Sequence, residues 1–183
     1  ENAFATALGL PVLILVFAPI SGAHFNPVVT LADAALGHRP WRELASYLPA
    51  QIAGCLGGAI LANLMFGVPT TLSTTDRATP EHLLAEVVAT AGLVLVIFAL
   101  ARTERAAVIP WAVGAYIGAA YFFTSSASFA NPAITIGRMF SDTFAGIAPA
   151  SAPGYIAAQL LGGALGYLAV RWLFPARDRI AVS

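Results

Sequence analysis

The sequence predicts an all-α membrane protein, an inverted-repeat bundle of spanning helices with two re-entrant half-helices. Three observations carry the prediction. The composition is too apolar for a water-facing domain, five stretches have spanning length, and the chain repeats itself around two Asn-Pro pairs. Of 183 residues, 58% are hydrophobic and 10% charged, and the mean hydropathy is +0.79. A soluble domain carries about 25% charge, so this chain has too little to cover a surface in water. All nine basic residues are arginine, balanced by nine acids, which leaves no basic patch for nucleic acid. Cys55 is the single cysteine, which excludes a disulfide framework and a multi-cysteine metal site. The start of the chain has no basic n-region, so no signal peptide is expected.

A helix needs roughly 20 mostly apolar residues to cross a bilayer. Residues 2–20, 44–66, 83–101, 106–123 and 153–174 meet or approach that length, and strand-like alternation is absent. The lipid bilayer is therefore the first partner. Two further apolar stretches, 27–36 and 132–140, are about half a span, the length of a re-entrant segment. With loops alternating between sides, Arg39 and Arg42 share a side with Arg102, Arg105, Arg177 and Arg179, whereas the 67–81 loop carries only Arg77. The positive-inside rule then makes the C-terminus cytoplasmic and places residue 1 outside.

The second half copies the first. Phe25-Asn26-Pro27-Val28-Val29-Thr30 recurs as Ala130-Asn131-Pro132-Ala133-Ile134-Thr135, and Gly9 matches Gly114 at the same offset. Tyr47, Gln51, Gly54 and Gly58 recur as Tyr155, Gln159, Gly162 and Gly166. Each copy reads as span, Asn-Pro half-helix, span. The second copy is also preceded by the 83–101 span, whose counterpart lies before residue 1, so a first transmembrane helix is expected to be missing. An odd number of spans per repeat inverts one copy relative to the other, with a site where they meet at mid-membrane. The organisation is one membrane channel domain, 1–183. It comprises a partial first repeat (1–66), an extracellular linker (67–82), a second repeat (83–174) and a cytoplasmic tail (175–183).

Asparagine is a strong N-cap and proline is favoured at the first helical position. Asn26-Pro27 and Asn131-Pro132 thus read as half-helix starts brought together at the bilayer centre. Residues 21–25 and 124–130 would offer a file of carbonyl acceptors, and the asparagine amides would offer donors. The positive helix ends would repel cations. Such a path suits small uncharged hydrogen-bonding solutes and requires no cofactor and no metal.

These residues resemble the aquaporin (major intrinsic protein) family. Ser21-Gly22-Ala23-His24-Phe25-Asn26-Pro27-Val28 is similar to its first signature and Asn131-Pro132-Ala133 to its second, with Val28 where most members have alanine. The resemblance implies a homotetramer with one pore per subunit and a constriction of four positions. Alignment to the boxes gives Thr6, Ala119, Ser128 and Ile134 for these, a gap at the second selecting Tyr121. Most water channels carry arginine where Ile134 stands, so the expected filter is wide and neutral. Polyols, urea or undissociated metalloid hydroxides such as arsenite become candidate solutes. The 125–149 stretch resembles a bacterial subgroup often linked to arsenic resistance, which implies a bacterial inner-membrane location.

The resemblance also gives Glu86 a scaffold role, accepting backbone N–H groups of the second re-entrant loop. Gln51 and Gln159 read as interhelical hydrogen-bonding residues, and His24 as a packed loop residue near the pore mouth. Arg138 is expected to pair with Asp142 at i,i+4 and not to replace the missing arginine. The paired glycines at 54/58, 114/118 and 162/166 read as close-packing sites, and Cys55 as a core thiol. A catalytic constellation is absent, so an enzyme is not expected. The competing readings are a coupled secondary transporter, which lacks coupling-ion ligands beyond Glu86, and a non-conducting scaffold.

Overall fold

The computed structural model describes residues 1–175; Arg177, Arg179 and the tail from 176 onward lie outside the described residues. Seven α-helices follow one another: α1 (Asn2–Ser21), α2 (Pro27–Ala35), α3 (Leu44–Met65), α4 (Pro80–Arg102), α5 (Ile109–Phe123), α6 (Pro132–Arg138) and α7 (Ala152–Leu173). Five are long and apolar enough to cross a membrane. The two short ones, α2 and α6, are the half-helices.

Local chemistry sets the boundaries. Gly22 adopts left-handed backbone (φ 73°) just after α1, and its N–H returns to the Ala18 carbonyl, a conformation glycine takes at little cost. Thr79 and Pro80 start α4 three residues before the apolar run begins, because the Thr79 hydroxyl accepts from His82 N and proline fits the first position. A short 3-10 turn, Ala106–Val108, occupies the start of the predicted fourth span, and α5 proper begins at Ile109.

Helices α4 and α7 form the tightest pair. A Cβ on Gly162 would lie 2.4 Å from the Val87 carbonyl oxygen, and one on Gly166 2.6 Å from that of Ala91. The small residues let backbones meet, which is how helices associate where lipid removes the hydrophobic contrast. Arg102, ending α4, also donates to the Phe174 carbonyl beyond α7. Helix α1 packs on α5 in the same manner: Gly114 leaves room for the Pro11 ring, with a Cβ there 2.2 Å from Pro11 Cγ.

The two repeats are unequally covered. One third of the spanning window is buried in α4, α5 and α7, against 6% in α1 and α3. The apolar core accordingly centres on Ala89, Leu93, Val94 and Phe98 of α4, with Val28, Val113, Ile117 and Val170 around them. The 66–79 loop is pinned rather than loose. Arg77 is buried, donating to the carbonyls of Gly146 and Phe144 at 2.7 Å each, and Asn63 ties the same region to Phe140 and Ser141.

Replacing Gly162 with alanine drives a Cβ into a backbone carbonyl and should cost about 1–3 kcal/mol. At Gly154 the nearest atom is the flexible Leu83 Cδ2, 3.3 Å away, so alanine there should cost less. Thermal midpoints in detergent test the ranking; equal midpoints would mean α4 and α7 are less closely packed than described.

Candidate functional site: two half-helices meeting over a cavity

The half-helices start where their caps dictate. Asn26 is extended (φ −140°) and its Oδ1 accepts from Val28 N at 3.0 Å. Asn131 does the same for Ala133 N at 2.9 Å and Ile134 N at 3.3 Å. The amide ends then cross over. Asn26 Nδ2 donates to the Ala130 carbonyl at 2.7 Å, and Asn131 Nδ2 donates to the Phe25 carbonyl at 2.9 Å. Each asparagine thus caps its own helix and ties down the other loop. An amide nitrogen carries two N–H groups, so one on each remains for the cavity that both residues line.

A second layer orients the first. Thr30 and Thr135 donate to the carbonyls of Asn26 and Asn131, at 3.1 and 3.0 Å, and accept from Gln51 and Gln159, at 2.8 and 2.9 Å. Beyond this the repeats diverge. Glu86, fully buried, accepts from Phe129 N at 2.9 Å, Ala130 N at 2.8 Å and Gln159 Nε2 at 2.7 Å. In the first repeat Gln51 Nε2 bonds the His24 carbonyl at 2.6 Å, and its Oε1 has no partner among the described residues.

The loops leading into the boxes are strained. Ala23, Ala127, Ser128 and Ala130 all have φ between 46° and 62°, a region costing roughly 1–2 kcal/mol per non-glycine residue. Their small side chains were the available signal, and sequence patterning alone gave no strain. The expected carbonyl file is also shorter than its sequence span. Ser21, His24 and Phe25 carbonyls are taken by Tyr47, Gln51 and Asn131, whereas those of 127–129 accept no hydrogen bond among the described residues.

Val28 and Ala133 follow the two boxes and are buried. The larger Val28 is received by a gap in α7: a Cβ on Gly163 would lie 2.2 Å from Val28 Cγ1. Pro27 and Pro132 hold the first helical positions, buried behind the caps.

A cavity of about 390 Å³ runs past the boxes. Thr6, Ser128 and Ile134 line it. Ala119 does not: it is exposed on the outer side of α5, and Ile117 and Tyr121 take the cavity side. Two residues along a helix is about 200° of rotation, so the ungapped alignment selected the wrong face. The pairing of Arg138 with Asp142 is likewise corrected. Helix α6 ends at Arg138, so Asp142 lies off the helix and accepts from Thr74 N at 2.8 Å. Arg138 lines the cavity and donates to the Tyr121 hydroxyl at 3.0 Å.

At the opposite end, where Arg39 and Arg42 sit, an ionic cluster that sequence reasoning missed surrounds Asp33. Its carboxylate meets Arg39 Nε at 3.2 Å, His38 Nδ1 at 3.1 Å and His24 Nε2 at 3.7 Å. Burial pushes the His24 pKa down, with Asp33 opposing and Arg39 reinforcing. Cys55, half-buried in α3, backs Gly137, where a Cβ would lie 2.7 Å from the Cys55 carbonyl oxygen.

The comparisons with known proteins agree with this geometry. A profile described as Major intrinsic protein matches residues 1–128. The chain belongs to the major intrinsic protein family. It is 48% identical over 181 residues to aquaglyceroporin AqpS of Rhizobium meliloti (strain 1021), covering 98% of this chain and 77% of that protein. It is 41% identical over 109 residues to aquaporin NIP1-1 of Zea mays, covering 56% of this chain and 38% of that protein. Against aquaporin NIP1-4 of Oryza sativa subsp. japonica the identity is 38% over 144 residues, 73% and 52% of the two chains. This major intrinsic protein is a multi-pass membrane channel for water and small neutral solutes, and not an enzyme.

In this channel Val28 and Gly163 should be coupled. Valine is stiff at χ1, so Gly163→Ala should cost about 1–3 kcal/mol, and Val28→Ala in the same chain should recover most of that loss. Thermal midpoints of the two single variants and the double variant decide; simple additivity would show that the two residues do not press on each other.

Proposed function

We propose that the channel passes solutes larger than water, namely polyols such as glycerol, urea and undissociated metalloid hydroxides such as arsenite. The selecting region is the cavity wall formed by Thr6, Tyr121, Ser128 and Ile134. The observation that carries this reading is Ile134 on the cavity wall, one turn from Asn131, with an apolar side chain and no donor. At that position the wall presents neither a charge nor a hydrogen-bond donor that a solute would have to match. The name aquaglyceroporin carried by the Rhizobium relative supports the same class. A coupled transporter needs ligands for a driving ion, and the Glu86 carboxylate is already committed to three N–H groups.

The reading includes a bacterial inner membrane, a homotetramer with one pore per subunit, and no cofactor. Arg39, Arg42, Arg102 and Arg105 at one end, against Arg77 at the other, support a cytoplasmic face at the Asp33 cluster and an outer face at Arg138. A further span packs on α3, as α4 packs on α7. Supporting this, Gly54 and Gly58 have open space where a Cβ would stand, whereas their α7 equivalents, Gly162 and Gly166, are pressed against α4. An open groove of about 630 Å³ beside Tyr47, Gln51 and Gly54 lies on the same helix.

Stopped-flow light scattering on proteoliposomes of the full-length protein tests the solute class. Vesicles shrunk with sucrose, then challenged with glycerol or undissociated arsenite, should re-swell much faster than empty vesicles. Ile134→Arg should slow re-swelling by about tenfold, a change in barrier of about 1.4 kcal/mol, while leaving shrinkage fast. Fast shrinkage with no re-swelling in the unsubstituted protein would mean a strict water channel.

A further inference from the structure

Arg138 closes α6 one turn beyond Ile134, and its side chain lines the cavity. Two contacts fix the guanidinium. Nη2 donates to the Tyr121 hydroxyl at 3.0 Å, and Cζ stands 4.3 Å from the centroid of the Phe129 ring. A guanidinium is planar, always charged and carries five donors in a rigid fork; the bond to Tyr121 uses one.

Its charge has no counter-ion. Among the described residues no carboxylate lies within ion-pair distance of Arg138. The two acids of the surrounding loops are occupied by uncharged donors: Asp142 by Thr74, and Asp76 by Ser151 and Ala78. Arg77 reaches the same Phe129 ring at 5.3 Å, and among the described residues its guanidinium donates only to carbonyls. This end of the cavity wall therefore carries the Arg138 charge, with Arg77 buried against the same Phe129 ring, and low-dielectric surroundings focus the resulting positive potential. A separate feature lies on the same stretch of wall. Ser128 is 3% exposed, and its hydroxyl has no partner among the described residues, a state that a polar solute or water would relieve.

The geometry points to Arg138 as the specificity-determining cation of this pore, set one turn outward from Ile134. Its free donors hold an oxygen of a neutral hydroxylated solute at the outer end of the cavity, with the Tyr121 hydroxyl beside it, and its charge turns back cations. The apolar Ile134 then leaves the passage wide, while charge selection happens a turn earlier on the way in. This rests on the channel reading above.

The test uses full-length protein in liposomes, unsubstituted or carrying Arg138→Gln or Arg138→Lys. Three rates are read: shrinkage in sucrose, re-swelling in glycerol, and uptake of labelled methylammonium at pH 6, where it is a cation. The unsubstituted channel should pass glycerol and exclude methylammonium. Arg138→Gln should raise methylammonium uptake about tenfold or more, the scale on which a focused potential sets local ion concentration, and should slow glycerol. Arg138→Lys should still exclude methylammonium but slow glycerol, because charge survives and the fork does not. Gln-variant vesicles that shrink normally with methylammonium excluded and glycerol unchanged would overturn the proposal. Should the Gln variant fail to insert, methylammonium entry through the Lys variant would overturn it equally. Unsubstituted vesicles that neither shrink quickly nor re-swell would instead contradict the channel reading itself.

Discussion

The reciprocal bonds from Asn26 to the Ala130 carbonyl and from Asn131 to the Phe25 carbonyl are the constraint on which the rest of the structure depends. They lie where two broken helices meet at membrane depth, where bulk water cannot satisfy backbone groups and each orphan costs several kcal/mol. A single residue type answers three demands there. The asparagine oxygen caps its own half-helix, one N–H holds the opposite loop, and the other N–H faces the cavity. Aspartate would bring a charge and lose the donors, and serine would offer a single O–H in place of two N–H groups. The left-handed backbone at Ala127, Ser128 and Ala130 persists because these bonds, with those from Glu86, over-determine it.

The repeats share this centre and differ in their support. Thr30 with Gln51 and Thr135 with Gln159 form the same hydrogen-bonded arrangement behind the two boxes. Among the described residues, a carboxylate from α4 stands behind the second repeat, and the spans there are closely packed through Gly162 and Gly166. Volume is exchanged between the repeats as well. Valine follows the first Asn-Pro and glycine faces it at 163, whereas alanine follows the second and the position equivalent to Gly163 is Cys55. The pore wall can thus stay continuous while each half is filled differently. Its ends are chemically opposite too, with a shared carboxylate among histidines and Arg39 at one end and unpaired guanidinium charge at the other.

Much of this was readable from the residues. Asn-Pro pairs have one good structural use, so the half-helix starts follow directly, and apolar length places the five spans to within about three residues. The repeat was readable because the Tyr, Gln and Gly residues after each Asn-Pro box recur in the same order, with three more residues between box and pattern in the second copy. What escaped is whatever depends on rotation or on loops. Ala119 and Tyr121 are two residues apart, yet they face opposite sides of α5. The i,i+4 pairing of Arg138 with Asp142 presumed a helix that stops at Arg138 itself. Arg77 looked like a loop charge because spacing does not reveal a guanidinium that folds inward onto two carbonyls. Glu86 was placed through family resemblance; its sequence neighbourhood shows only an acid within an apolar run.

The central claim is that the two asparagines act as one joint. A double-mutant cycle measures it directly, with Asn26→Ala, Asn131→Ala and the double variant of the full-length protein unfolded in detergent. Loss of each cap is local and cancels in the cycle, so what remains is the coupling across the junction. The account predicts that the double variant loses less than the sum of the singles, by more than about 0.5 kcal/mol. Once one amide is gone the loops are already loosened for the other. Losses that add within about 0.3 kcal/mol would show two independent caps that happen to lie close together, and would contradict it.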